Sequence, residues 1–157
     1  MSTILLLVGQ KALLGAIAAA GFGVLFNAGP RDLLWCAAGG ALALAVRTAC
    51  LSAGLSLEAA TFLAATALTS ATAGPLRHVL GTAASRLAVA GCIPMVPGAF
   101  FSQALLGLFA LTAPSTTPVD PVALATTLVA MTRVILTVGA IGAGIAIPLT
   151  LLRPHEF

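Results

Sequence analysis

Residues 91–98 read Gly91-Cys92-Ile93-Pro94-Met95-Val96-Pro97-Gly98. Pro94 and Pro97 have no backbone N–H to donate, and each ring clashes with the preceding turn, so one continuous helix through both is disfavoured. The apolar stretches on either side, Arg86 to Ile93 and Pro97 to Leu111, are each too short to cross a bilayer alone, since a spanning helix needs about 20 residues. Together they make one crossing interrupted near its middle. Irregular backbone at that depth is tolerated only where it is buried in protein or lines a cavity.

Working outward, Gly, Pro and charge divide the rest of the chain into comparable apolar segments. The first runs from about Thr3 to Phe26 and stops at the turn signal Asn27-Ala28-Gly29-Pro30. The second follows Arg31-Asp32, from about Leu33 to Ala53. A third starts at Ser56, an N-cap with Glu58 in the first turn, and ends at Gly74-Pro75. After the interrupted fourth comes a polar loop, Thr112 to Pro121. It closes on Asp120-Pro121, a cap followed by proline at the first helical position, and a fifth segment continues to Leu152. The expectation is an all-α integral membrane protein: residues 1–157 form a single transmembrane helical domain of about five helices, the fourth broken at Pro94-Gly98.

Composition agrees. Of 157 residues, 60% are hydrophobic and only 7% charged, and the mean hydropathy is +1.14; a soluble fold carries about a quarter charged residues. The seven basic residues and the +3 charge are scattered singly, with no patch to neutralise several phosphates, so nucleic acid is dismissed as a partner. Cys36, Cys50 and Cys92 lack zinc or disulfide spacing and read as small hydrophobes. The early apolar run precedes Lys11, the reverse of a signal peptide's order. His78 and His155 lack metal-ligand spacing, no phosphate-binding loop or nucleophile constellation is present, and no cofactor, metal or enzymatic activity is expected.

The loops set an orientation. Arg31 lies in the first, Arg77, His78 and Arg86 in the third, and Arg153 in the tail, whereas the second and fourth carry only Glu58 and Asp120. The positive-inside rule then puts the N-terminus outside and the C-terminus in the cytoplasm, and the alternation supports an odd number of crossings.

Lys11, Arg47 and Arg133 fall inside spans. A cation at mid-bilayer costs about 2.5 to 3.5 kcal/mol on insertion scales. Counting from the expected outer ends, Arg47 is about 9 Å deep, Lys11 about 12 Å and Arg133 about 16 Å. The stripes around the two arginines, Cys36, Gly40, Ala43, Arg47, Cys50, Gly54 and Thr126, Ala130, Arg133, Thr137, Ala140, Gly144, are small or hydroxylic, suited to close packing or a cavity wall. Two uses remain open. The cations snorkel or pair with acids of a neighbouring subunit, including another copy in a homo-oligomer, or they form a layer that neutralises a passing carboxylate. Glu58, Thr61, Ala65, Thr69 and Thr72 offer a mildly polar face, with hydroxyls bonding back to their own helix as the plainer reading.

A half-helix starting at Pro97 presents the amides of Gly98, Ala99 and Phe100 with the positive end of its dipole, an anion site to which Ser102 and Gln103 can add hydrogen bonds. The half-helix before it leaves carbonyls near Ala90 to Cys92. The substrate-binding candidates are Arg47, Arg133, Gly98, Ala99, Ser102 and Gln103, the broken-helix motif is Ile93, Pro94, Met95, Pro97 and Gly98, and Glu58 is the one candidate for ion coupling. The plainer reading of the motif is a proline kink that shapes the bundle.

Three blocks of residues also carry a family resemblance. They are Gly21-Phe22 with Phe26-Asn27, Arg31, Leu33 and Trp35-Cys36; Arg47 with Ser52-x-Gly54-Leu55-x-x-Glu58-x-x-Thr61-Phe62; and Ile93-Pro94-Met95-x-Pro97-Gly98. In these the chain resembles the small membrane subunit of the threonine/serine exporter (ThrE-like) family, equivalent to the C-terminal membrane half of fused exporters. The resemblance implies a bacterial inner-membrane secondary exporter for small carboxylate-bearing metabolites: threonine and serine, or a dicarboxylate such as succinate. It also implies a larger partner subunit with its own transmembrane helices and a soluble N-terminal region. Lys11, and Phe100-Phe101 where relatives often carry a tyrosine, depart from the family pattern. The alternative function is a non-transporting assembly or scaffold subunit of the membrane.

Overall fold

The computed structural model describes residues 2–80, 84–113 and 120–152. The middle of the expected fourth loop and the tail with Arg153 and His155 lie outside them, as do the side chains of Arg77 and Arg86. The described residues form helices and turns: α1 (Ser2–Leu25), α2 (Pro30–Ser52), α3 (Leu57–Ala73), the short α4 (Arg77–Leu80), α5 (Ala84–Cys92), a 3₁₀ turn (Ile93–Met95), α6 (Gly98–Thr112) and α7 (Pro121–Leu151).

Among the described residues α1, α2 and α7 are each long and apolar enough to cross a membrane, and Leu87–Met95 with Gly98–Thr112, bent by 60° at the break, has the combined length and apolarity of a fourth span. With 17 residues, α3 rises only about 26 Å against a hydrocarbon core of about 30 Å. The expectation of about five helices, the fourth interrupted, is met in this form.

Local chemistry explains the ends. Asn27 takes a positive φ of 54°, and the Ala28 amide donates to the Gly23 carbonyl at 2.9 Å, the left-handed closure that stops α1. Gly54, at φ 89°, ends α2 the same way, with the Leu55 amide donating to the Cys50 carbonyl at 3.1 Å. α2 begins at Pro30, three residues before the expected start. Proline suits the first helical position because the missing N–H has no intrahelical partner there, so Arg31 and Asp32 occupy the first turn rather than a loop. The Ser56 hydroxyl accepts from the Ala59 amide at 3.2 Å, and an Asp120 carboxylate oxygen accepts from Val122 at 3.0 Å; both are the caps read from the sequence.

By internal contacts the chain forms two compact units, one from residues 1–95 and 140–157, the other from residues 96–139. In the first, α1 lies along α2, and α2 also packs on α3 and α5. Small residues make this possible. A Cβ on Gly40 would strike the Gly15 carbonyl, and would stand 2.5 Å from the Ala19 methyl. A Cβ on Gly144 of α7 would come within 2.7 Å of the Ala65 methyl and 2.9 Å of the Phe62 carbonyl on α3. The core is correspondingly fine-grained: Ala43, Ala64, Ala65, Leu68, Cys92, Met95 and Ile141. Outside it, α1 leaves Leu5, Leu6, Leu13, Leu14 and Ile17 exposed, as lipid-facing side chains are. In the second unit α6 and α7 touch where a Cβ on Gly107 would strike the Thr127 hydroxyl.

Candidate functional site

The interruption is built by its two prolines. α5 ends at Cys92 and the chain tightens into the 3₁₀ turn Ile93–Met95, because Pro94 and Pro97 withhold the donors that would continue the α-helix. Pro97 has φ −82° and ψ 68°, and the Gly98 amide donates to the Val96 carbonyl at 2.9 Å. This is an inverse γ-turn centred on Pro97. One expectation is thereby corrected: the Gly98 amide, read as open, is already bonded. The Phe101 amide donates to Pro97 at 3.0 Å, so the amides of Ala99 and Phe100 are the ones the first turn of α6 leaves to a ligand.

Arg47 closes the other side of the break. Its guanidinium donates to the Met95 carbonyl at 2.9 Å, where a helical segment ends and carbonyls lack amide partners. A hydrogen bond to a charged group contributes about 1.5 to 3 kcal/mol, comparable to the insertion cost of an arginine within a span. Met95 is fully buried beneath it. The structure therefore gives Arg47 a positioning role at the break, which the composition of its helix stripe does not reveal.

Arg133 is placed differently. It is exposed on the surface of α7 and its guanidinium carbon stands 5.1 Å from the centre of the Phe100 ring, a cation–π arrangement. Its stripe is mixed, with Ala130 and Thr137 buried and Thr126 exposed, donating to the Val122 carbonyl at 2.7 Å. Phe100 belongs to the first turn of α6, so this contact brings Arg133 to the turn that carries the Ala99 and Phe100 amides. Gly98, Ala99, Ser102 and Gln103 are exposed there, and a Cβ on Gly98 would meet nothing within 4 Å. Gly98, Ala99, Ser102, Gln103 and Arg133 thus share the second unit, while Arg47 belongs to the first.

The remaining candidates stand apart. Lys11 is exposed on α1 and Glu58 is half-buried in the first turn of α3. On the threonine face of α3, Thr61 donates to Leu57 at 2.6 Å and Thr72 to Leu68 at 3.1 Å, so these two hydroxyls serve their own helix. Thr66 and Thr69 keep buried hydroxyl oxygens without a partner. Sequence reasoning passed over the pairing of Phe100 with Arg133. An aromatic residue in the first turn of a half-helix, opposite a span with one cation, was the available signal.

A multi-pass helical membrane protein with one crossing split at paired prolines is the class these features define. Residues 11–151 match the family model described as Threonine/Serine exporter, ThrE, and the chain belongs to that family of membrane transporters. No solved structure matches it.

Proposed function

We propose that the chain is one subunit of a bacterial inner-membrane secondary exporter for threonine or serine, or for a dicarboxylate such as succinate. In this reading it works with a larger membrane partner, its N-terminus outside and its C-terminus in the cytoplasm. The substrate's carboxylate is received in the second unit, by the Arg133 guanidinium and the amides of Ala99 and Phe100. Ser102 and Gln103 supply further hydrogen bonds, and coupling to an ion gradient rests with Glu58 or with the partner. The observation that carries this reading is the 5.1 Å approach of Arg133 to Phe100. It brings a full positive charge to a helix start that carries a partial one, and anions are favoured at both.

The test is threonine efflux from cells or proteoliposomes carrying Arg133→Lys, Arg133→Ala and Gly98→Ala, with recovery of the assembled complex measured in parallel. Gly98→Ala places a methyl in open space at the mouth of the first turn, so folding is preserved while backbone approach is obstructed. Intact assembly with efflux reduced tenfold or more supports the site. A second reading, an assembly subunit whose cations pair with partner acids, is favoured by the exposure of Arg133 among the apolar residues Val129 and Leu136. It predicts that Arg133→Ala loses the complex itself.

A further inference from the structure

The membrane face at which α2 begins carries a feature the transport reading does not use. An open cleft of about 740 Å³ is lined by Arg31, Asp32, Leu34, Trp35, Ala38 and Leu80. A second, apolar cavity of about 80 Å³ shares Trp35, Ala38 and Leu80 with it and continues past Leu42, Leu68 and Leu76. The two therefore lie side by side along α2, with these three residues as a common wall. From Pro30 the helix descends about 8 Å to Trp35 and about 18 Å to Leu42, which takes the path from headgroup level to the middle of a hydrocarbon core about 30 Å thick.

We infer that this cleft is a binding site for one phospholipid with a zwitterionic, primary-amine headgroup. Among the described residues, Arg31 and Asp32 are the charged groups that line the mouth, and they select the headgroup. Arg31 is exposed and offers the planar donor fork that suits a phosphate, at a helix start where negative charge is favoured. Asp32, the next residue, supplies a carboxylate acceptor for an ammonium group. A purely anionic headgroup satisfies Arg31 but is repelled by Asp32, and a quaternary ammonium has no N–H to donate to it. Trp35 has the amphipathic ring characteristic of the membrane–water boundary, and the slot beyond it takes the start of an acyl chain between Leu42 and Leu76. The occupant is a lipid rather than a free phosphate compound, because the charged mouth is walled by Leu34, Trp35, Ala38 and Leu80 and adjoins an apolar slot.

Native mass spectrometry of the full chain, delipidated in detergent and titrated with phosphatidylethanolamine, phosphatidylcholine or phosphatidylglycerol, tests this. Glycerophosphoethanolamine, which lacks the chains, serves as competitor. The expected result is a single retained phosphatidylethanolamine adduct, bound about tenfold more tightly than either other lipid and not displaced by the competitor. Arg31→Ala should weaken it about tenfold, and Asp32→Asn should abolish the preference over phosphatidylglycerol. Ala38→Phe, which fills the slot and leaves the charges in place, should weaken all three lipids, and Val24→Ala on exposed α1 should change nothing. Equal retention of the three lipids by the wild type, or retention unaffected by both Arg31→Ala and Ala38→Phe, overturns the proposal. Displacement by the chainless competitor overturns the lipid in favour of a soluble phosphate ligand.

Discussion

Arg47 and Arg133 face the same cost of charge within a membrane and meet it in different ways. Arg47 is held by the Met95 carbonyl at 2.9 Å, an internal partner created by the break itself. Its replacement by leucine removes that bond and leaves the carbonyl orphaned in the core. The expected loss is about 1.5 to 3 kcal/mol, read as a lower apparent melting temperature of the detergent-solubilised chain, with Arg47→Lys recovering part of it. An unchanged melting temperature would show that the bond contributes nothing net. Among the described residues Arg133 has only an aromatic face as partner, an interaction worth about 0.5 to 2 kcal/mol, which does not fully offset the cost of about 2.5 to 3.5 kcal/mol of placing its charge within a span. That shortfall is what a substrate carboxylate would supply. At this scale the sequence marked both arginines as requiring an explanation, because their charge and depth are readable from spacing. It could not separate their roles, since these depend on which carbonyl or ring another helix brings alongside.

The helix elements were the most legible level. Caps at Ser56 and Asp120 and stops at Asn27 and Gly54 are local, short-range chemistry, and local chemistry is written in consecutive residues. Two local details escaped. Pro30 opens α2 instead of preceding it, because a proline can end a turn or begin a helix and only the backbone of Gly29 decides between them. The bond from Gly98 to Val96 also escaped, because the ψ of Pro97 is not fixed by its ring. Pro97→Ala tests the role of the break. With an N–H restored at 97 the helix can run through, and the Met95 carbonyl then accepts from the Ala99 amide in place of Arg47. Amide exchange at Ala99 should slow and efflux should fall while the complex still assembles; fast exchange at Ala99 in the variant would show that Pro94 alone sets the break. The α1–α2 crossing gives a separate test. Gly40→Val drives a side chain into the Gly15 carbonyl and the Ala19 methyl, and such overpacking costs about 1 to 3 kcal/mol. Reduced thermal stability or loss of expressed protein is expected, whereas Gly139→Val, at a position where a Cβ would meet nothing within 4 Å, should be tolerated.

For the whole molecule, composition alone established membrane residence, since 7% charged residues cannot coat a soluble surface of this size. The division into two units was half legible: one boundary falls at the Pro94-Gly98 break, whereas the other lies inside α7, within a continuous helix that carries no sequence signal. That division changes how the candidate site is understood. The groups proposed to receive an anion, Arg133 with the Ala99 and Phe100 amides, belong to one unit, and Arg47 bonds the Met95 carbonyl at the end of the other. The central claim is that Arg133 recognises the carboxylate of the exported metabolite. It is tested most directly by measuring binding of threonine and of threonine amide, which lacks the carboxylate, to the assembled exporter with wild-type Arg133 and with Arg133→Gln. The account predicts that the wild type prefers threonine by about tenfold or more, the worth of a hydrogen bond to a charged group, and that the variant binds both ligands equally and weakly. A variant that assembles and keeps the full preference for threonine would contradict it.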